Sequence, residues 1–341
     1  MSKTANILKK ISEAGLVGRG GASYPTAAKW AAVKAALKNK KPGYIIVNGA
    51  EGEPGVKKDA YIFHHHAAAV INGVYLAEQF FGADKIKKIY IFLNREYYQL
   101  YSFSLKTVLA DRPYEALGEK TEFFIKPDRL TYISGEETAL LNLIEGKKVE
   151  PRRKPPYPTE QGLYGRPTLI NNPETFYNVS LAAQNRYEGK RFYTISGLAR
   201  RPGVYDLPAN LTVEEILRQT GNYPAKAFFV QVGGGASGEI FNDEQLSVPA
   251  EGAGSIMIYD KKRTDWRKLF KHWLSFYQEQ SCGQCAICRE GSYRLRELMN
   301  QKQFNHKLFD EVVQSLEDTS FCGLGSSMAA PLKSYFANVK N

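Results

Sequence analysis

Four cysteines fall in the last fifth of the 341-residue chain, as Cys282-Gly283-Gln284-Cys285-Ala286-Ile287-Cys288 with a remote Cys322. Two-residue spacings let one short loop present three thiolates to three corners of a 4Fe-4S cube while the chain returns with the fourth, one thiolate per iron. A four-thiolate zinc site is the alternative, although zinc usually takes two separated pairs. Four cysteines in a chain of this size do not make a disulfide framework.

Other segments suggest ligand loops. Gly18-Arg19-Gly20-Gly21-Ala22-Ser23 precedes a helical pattern. Glycines ahead of a helix let backbone amides approach a phosphate, and the helix dipole favours the anion. The run is neither G-x-G-x-x-G, since Ser23 holds the last glycine position, nor a Walker loop, so a plain turn is the alternative. Asn48-Gly49-Ala50-Glu51-Gly52-Glu53-Pro54-Gly55 follows the apolar run Tyr44 to Val47, at what should be a strand's carboxyl end, where parallel sheets bind ligands. An ordinary connection would read the same way. Ser134-Gly135-Glu136-Glu137-Thr138-Ala139-Leu140-Leu141 puts two carboxylates at a helix start, where exposed glutamates commonly complement the dipole. Arg152-Arg153-Lys154-Pro155-Pro156-Tyr157-Pro158 sets cations and an aromatic ring on a stiff segment, suited to a phosphorylated ligand and its base or to a rigid linker. His64-His65-His66 lie on a helical pattern, where consecutive side chains diverge by about 100° and cannot converge on one ion.

The elements that must position these residues come in three blocks. Tyr44 to Asn48 and Lys88 to Leu93 are nearly continuous apolar runs, as in strands buried on both faces. Between them Tyr61 to Phe81 has helical spacing, and a further helix begins after Tyr24 with Pro25 placed for its first turn. The alternation predicts a mainly parallel α/β domain over residues 1–190. Residues 191–262 change to short strands and turns, with Phe192 to Ser196, Arg201 to Tyr205, a helix near Val213 to Gln219, and Ala227 to Val232 before Gly233-Gly234-Gly235. Residues 263–341 predict a four-helix bundle, with helices near 265–280, 289–301, 307–317 and 327–339 and the cysteines at loops and helix ends.

Composition excludes disorder and collagen-like repeats, with 43% hydrophobic and 24% charged residues. No apolar run approaches the roughly 18 residues that cross a bilayer, and Met1-Ser2-Lys3-Thr4 lacks a signal-peptide pattern, so a cytoplasmic location without direct membrane insertion is expected. The net charge of +11 comes from scattered stretches such as Lys38 to Lys41, Lys147 to Lys154 and Lys261 to Lys271. Such a surface attracts anionic partners, but no nucleic-acid-binding motif accompanies it.

Taken in order, these segments resemble the flavin-bearing, NADH-oxidising subunit of respiratory complex I and its relatives in NAD-linked hydrogenases and formate dehydrogenases. The resemblance is carried by the run from Gly15 to Trp30, by Tyr132-Ile133-Ser134-Gly135-Glu136-Glu137-Thr138-Ala139-Leu140, by Lys154-Pro155-Pro156-Tyr157-Pro158, by Asn171-Asn172-Pro173-Glu174-Thr175, and by Ser281 to Gly291 around the cysteines. It implies a Rossmann-like flavin and NADH domain, a β-grasp domain of the soluble-ligand-binding kind and a helical 4Fe-4S domain. The cofactors it implies are FMN and one 4Fe-4S cluster on Cys282, Cys285, Cys288 and Cys322.

Carried over by motif, the FMN site comprises Gly18, Arg19, Gly20, Gly21, Lys29, Asn48, Glu51, Tyr132, Gly135, Glu136, Asn171, Asn172 and Thr175. The NADH site comprises Tyr24, Glu53, Glu136, Glu137, Lys154 and Tyr157, the two tyrosines standing where the family stacks phenylalanines on adenine. The implied activity is hydride transfer from NADH to FMN, then single electrons to the cluster and on to partners. The implied partners are a thioredoxin-like 2Fe-2S subunit and other ferredoxin-like iron-sulfur subunits. The sequence departs from the complex I pattern N-A-D-E-S-E-P-G at Ala50, a stretch closer to the C subunit of Rnf-type oxidoreductases, and at Ala32, where a second stacking phenylalanine is expected. These departures motivate an alternative, a non-catalytic electron-transfer or assembly subunit that keeps fold and cluster.

Overall fold

The computed structural model describes residues 3–38, 41–130 and 132–340. Part of the N-terminal Met1 to Thr4 segment and part of the basic stretch 38–41 therefore lie outside the described residues. The chain divides into two compact units, Met1–Glu51 with Lys57–Lys190, and Gly52–Val56 with Arg191–Asn341.

The first unit carries helices α1 (Lys3–Glu13) and α2 (Thr26–Leu37), strand β1 (Gly43–Gly49), α3 (Lys58–Phe81) and β2 (Ile86–Leu93). It continues through α4 (Arg95–Ala110), α5 (Glu115–Glu119), β3 (Thr121–Ile125), α6 (Glu137–Ile144), α7 (Pro158–Gln161), β4 (Thr168–Asn171) and α8 (Pro173–Ala183). All four strands run parallel in the order β3-β2-β1-β4. Ile45, Ile46 and Val47 of β1 and Phe92 of β2 are wholly buried, as their unbroken apolar runs require. β3 carries Thr121 and Glu122 and is only half-buried, so it lacks that signature, and β4 has four residues. Helices α3 and α8 meet at Gly73, where a methyl group would lie 2.0 Å from the Phe176 carbonyl oxygen. Trp30 of α2 packs between Phe80 and Phe81, with ring centroids 5.6 and 5.8 Å away.

Pro25 stands one position outside the expected place. It caps α2 with extended ψ, and Thr26 opens the helix, because Pro25 is held in a bridge with Val17. His66 leaves helical geometry inside α3, and among the described residues no group of three or more His, Cys, Asp or Glu side chains converges on a single-ion site.

The second unit opens with β5 (Lys190–Gly197), β6 (Gly203–Pro208), α9 (Val213–Gln219), β7 (Phe228–Val232), β8 (Glu239–Asn242) and β9 (Ser255–Asp260), in the sheet order β6-β5-β9-β7-β8. β5 and β9 pair in parallel, and β7 runs antiparallel to both neighbours. Val213, Ile216 and Leu217 of α9 pack on Tyr193, Ile195, Val230 and Ile256 of that sheet. Helix α9 starts at Thr212 in a reciprocal capping box with Glu215.

Helices α10 (Trp266–Gln280), α11 (Ala286–Leu298), α12 (His306–Thr319), α13 (Gly323–Ser327) and α14 (Ala329–Asn338) follow. The four expected helices are present, with two differences. α11 begins at Ala286 because Cys285, in extended conformation, caps it, so Cys288 lies in its first turn. The five-residue α13 intervenes after Cys322, too short to show a periodic pattern. Among the described residues no helix is long and apolar enough to cross a membrane.

Candidate functional site

In the order β3-β2-β1-β4 the chain reverses direction across the sheet between β1 and β4. A crevice opens outside the carboxyl ends of the two strands at such a switch point, the usual ligand site of open parallel sheets. Asn48 is the penultimate residue of β1 and Asn171 ends β4, with Val47 opposite Asn171. The glycine loop reaches the same place. Gly18 N–H donates to the Tyr24 carbonyl at 2.8 Å, closing the loop, and Arg19 N–H donates to Thr175 Oγ1 at 2.9 Å. A methyl at Gly20 would make ordinary contact with Asn172 Cβ at 3.7 Å, so the loop backbone passes beside Asn172.

Asn172 caps α8 and joins the remaining parts. Its Nδ2 donates to Asp59 Oδ2 at 2.8 Å and to the Asn48 carbonyl at 3.4 Å, and its Oδ1 accepts from Lys58 Nζ at 2.9 Å. Asn48 Nδ2 donates to the Gly135 carbonyl at 2.9 Å, and Tyr132 contributes its carbonyl to Gly135 N–H at 2.9 Å. The Asn171 amide is oriented to accept from Trp30 Nε1 at 3.2 Å. Gly18, Arg19, Gly20, Asn48, Gly135, Asn172 and Thr175 therefore form one connected set.

Sequence reasoning missed the buried ionic group beneath this set. Lys58 pairs with Asp59 at 2.8 Å and Glu174 at 3.1 Å, and Arg19 Nε stands 4.0 Å from Glu174. Although burial pulls the Lys58 ammonium down, Asp59 and Glu174 hold it well above the ordinary lysine value. Burial raises the Asp59 carboxyl. Glu51, in the left-handed region at φ +31°, accepts from Asp59 N–H at 2.7 Å and Ala60 N–H at 3.3 Å, and it receives the Tyr97 hydroxyl. It thus ties down the N-terminus of α3, and desolvation, with Asp59 second, pushes its carboxyl up to about 7. Lys126, buried and bonded to the Ala50 carbonyl at 2.6 Å, is drawn down to about 8 by burial. Adjacency to the Glu51 and Asn172 motifs was the available signal for Lys58, Asp59 and Glu174; nothing in the sequence marks Lys126.

The NADH-side residues divide. Lys154 Nζ reaches Glu137 Oε1 at 2.8 Å and Glu136 Oε1 at 3.0 Å, and Lys29 stands 3.9 Å from Glu137 Oε2 while donating to the Ile170 carbonyl at 3.2 Å. One chain of charges, Lys29-Glu137-Lys154-Glu136, therefore joins residues carried over for flavin and for dinucleotide. Burial lowers the Lys29 ammonium. Burial also pulls on Lys154, but its bonds to Glu137 and Glu136 hold it above the ordinary value. Glu136 also caps α6 by accepting from Thr138 N–H at 2.8 Å and Ala139 N–H at 2.9 Å, so dipole complementation and site geometry coexist. Tyr24 and Tyr157 expose 52% and 53% of their surface, leaving both rings free to stack. An open cleft of about 500 Å³ is lined by Arg152, Arg153, Pro156 and Pro158 of the stiff basic segment, with Thr138 and Tyr164, and by none of the residues carried over for FMN or NADH.

Glu53 is held by the glycine triplet. It belongs to the second unit, where its Oε1 accepts from Ala236 N–H at 2.9 Å and Ser237 N–H at 3.1 Å. The glycine triplet explains this: a methyl at Gly234 would lie 2.3 Å from Glu53 Oε1 and one at Gly235 would lie 2.4 Å from the Pro54 carbonyl oxygen. Gly21, in the left-handed region at φ +114°, has open space where a side chain would be.

The cysteines gather where three helices meet. Cys282 and Cys285 flank the loop between α10 and α11, Cys288 lies in the first turn of α11, and Cys322 caps α13. Gly283 turns the loop at φ +75°, and Arg289 Nη1 fastens it by donating to the Gly283 carbonyl at 2.7 Å. All four are free thiols, Cys288 buried and the others partly exposed. Burial pushes the Cys288 thiol up to about 11, and the other three cysteines are close enough to push in the same direction. Four thiols near one another, three of them close enough to act on Cys288, are the donor set that a cube with a ligand at each corner needs. The donor set fits the 4Fe-4S cluster, and the switch-point crevice with its bare glycine backbone fits a flavin phosphate.

A dinucleotide-type parallel sheet with a glycine loop at its switch point, on the same chain as a four-thiol helical module, defines a flavin and iron-sulfur redox protein. Residues 11–181 match the Nuo51 FMN-binding domain, and residues 268–341 match the NADH-ubiquinone oxidoreductase-F iron-sulfur binding region. The NADH-quinone oxidoreductase F chain of Aquifex aeolicus is 32% identical, over 94% of this chain and 81% of that protein. Its counterpart in Mycobacterium bovis is 30% identical, over 96% and 82%. The chain belongs to this NADH-quinone oxidoreductase F family, with an FMN-binding domain and a 4Fe-4S region. Among solved structures, an NAD+-reducing [NiFe]-hydrogenase in the H2-reduced state superposes with a TM-score of 0.89 at 28% identity, covering 99% of this chain. The chain spans 62% of the hydrogenase chain it matches.

Proposed function

We propose that this chain is the NADH-oxidising flavoprotein component of a larger redox complex. Bound FMN supplies a two-electron acceptor for hydride from NADH, and the 4Fe-4S cluster supplies a one-electron outlet. Hydride transfer needs no acid or base, so the protein's own task is orientation and charge balance. Asn48, Gly135, Asn172 and the Gly18 to Gly21 loop would hold FMN at the β1/β4 crevice, with Asn171, Thr175, Tyr132 and Glu51 around it. Lys154 fixes the two carboxylates Glu136 and Glu137 in place, and Lys29 balances their charge beside the flavin residues. Tyr24 and Tyr157 would stack on adenine, and Glu53 would contact NADH.

The observation that supports this reading is the Lys29-Glu137-Lys154-Glu136 chain, which joins residues proposed for flavin and for dinucleotide in one ionic array. Residues 1–190 would form the FMN and NADH domain, 191–262 a β-grasp domain and 263–341 a four-helix iron-sulfur bundle. A thioredoxin-like 2Fe-2S subunit and ferredoxin-like subunits would receive the electrons on the cytoplasmic side. The +11 net charge supports docking to acidic partners.

Stopped-flow reduction of the FMN-loaded protein by NADH tests the assignment. Glu137→Ala should slow flavin bleaching at limiting NADH by tenfold or more. A variant bleaching at the parent rate would remove Glu137 from the site.

A further inference from the structure

We propose that Ser281 and Ser320 set the reduction potential of the cluster, each by donating a hydroxyl hydrogen bond toward sulfur at the Cys288 corner. The inference rests on the reading of Cys282, Cys285, Cys288 and Cys322 as cluster ligands.

The two serines arrive from different helices. Ser281 ends α10, where its N–H donates to the Tyr277 carbonyl at 2.9 Å, and its Oγ lies 3.6 Å from Cys288 Sγ. The same Oγ accepts Gly283 N–H at 3.2 Å, which uses one of its two lone pairs and leaves its own proton to point at sulfur. Ser320 ends α12, with its N–H on the Leu316 carbonyl at 3.3 Å. Its Oγ is enclosed and has no hydrogen-bond partner among the described residues. A methyl at Gly325 would lie 2.4 Å from Ser320 Oγ and 3.2 Å from Cys288 Cβ, so the hydroxyl and the cysteine side chain border one point that only glycine leaves open. Cys288 is the most enclosed of the four ligands, at 4% exposure.

A buried hydroxyl without an acceptor is destabilising, and the acceptor this site lacks is what a sulfur-rich cluster supplies. The reduced cluster carries one more negative charge than the oxidised one. A hydrogen bond to its sulfur favours the reduced state, and hydrogen bonds to sulfur are one of the levers that set cluster potentials. One electron enters, no covalent bond forms or breaks, and each hydroxyl keeps its proton. Ser281 acts through Cys288 Sγ, and Ser320 acts on cluster sulfur at the same corner.

The test is a potentiometric titration of the reconstituted full chain with dithionite, the reduced cluster followed by electron paramagnetic resonance. Ser281→Ala and Ser320→Ala, each verified for iron and sulfide, should shift the one-electron equilibrium about tenfold toward the oxidised cluster, a fall of about 59 mV in midpoint. Ser281→Thr and Ser320→Thr keep the hydroxyl and should retain the parent midpoint. The two positions are separate, so if one alanine variant loses its cluster the other decides. Parent midpoints in fully loaded alanine variants would overturn the inference. A parent protein that takes up no iron and sulfide would overturn the cluster reading and this inference with it.

Discussion

Lys58 lies 2.8 Å from Asp59 and 3.1 Å from Glu174, and all three side chains are almost wholly buried. Lys58→Met keeps the apolar stem and deletes the charge. Glu174 retains Arg19 Nε at 4.0 Å, so the stranded group is Asp59, left facing the Asn172 amide at 2.8 Å. An ionised carboxylate abandoned in such a site is destabilising by about 3 to 5 kcal/mol. Asp59 can instead take up a proton, which at pH 7 costs about 4 kcal/mol for a group whose ordinary pKa is about 3.9. Both routes give a loss of about 3 to 4 kcal/mol at pH 7.

The proton route also fixes a pH signature. In the variant the folded state binds a proton that the unfolded chain does not, so the variant's deficit shrinks as pH falls, by up to about 1.4 kcal/mol per unit. At pH 5 the deficit should be about 1.5 kcal/mol. Urea unfolding of parent and variant, followed by circular dichroism at pH 7 and pH 5, reads both values as midpoint shifts at unchanged slope. A deficit below about 1 kcal/mol at pH 7, or the same deficit at pH 5, would refute the reasoning that Lys58 neutralises a buried carboxylate.

Glu51 gives the opposite pH test: its folded pKa of about 7 lies above the unfolded value, so its contribution is fully present below about pH 4.3 and is lost as pH rises towards 7. Glu51→Gln should flatten that slope, worth at most about 4 kcal/mol, and unfolding midpoints measured from pH 5 to 8 check it. Gly73→Ala drives a methyl to 2.0 Å from the Phe176 carbonyl oxygen and should destabilise the α3–α8 contact by about 3 kcal/mol, read by the same unfolding curves. Tyr157→Ala removes an exposed ring worth about 1 kcal/mol of stacking, so KM for NADH should rise about fivefold with kcat little changed, whereas Tyr157→Phe should match the parent.

The sequence made the strongly patterned parts legible. β1 and β2 were readable because both faces are buried and the apolar run is unbroken, and α9 was readable from its periodicity. β3 was not, because a half-buried edge strand carrying Thr121 and Glu122 has no such run. The cysteine spacing announced the cluster loop, but not that Cys288 would lie inside a helix, which depends on Cys285 serving as the cap. The residues carried over for flavin came from ordered motifs; the Lys58-Asp59-Glu174 group beneath them did not, because Glu174 is far in sequence from the adjacent Lys58 and Asp59 and meets them only when α3 packs on α8. Glu53 was grouped with the dinucleotide residues by motif; that its Oε1 accepts the backbone amides of Ala236 and Ser237 is something no side-chain pattern reports.

The central claim is that one chain takes electrons from NADH onto FMN and passes them to its own cluster. An anaerobic absorbance titration of the protein reconstituted with FMN, iron and sulfide, performed with NADH and separately with NADPH, tests it most directly. The account predicts that NADH bleaches the flavin band and the cluster band together. Flavin and cluster both bound yet unbleached by either nucleotide would contradict it.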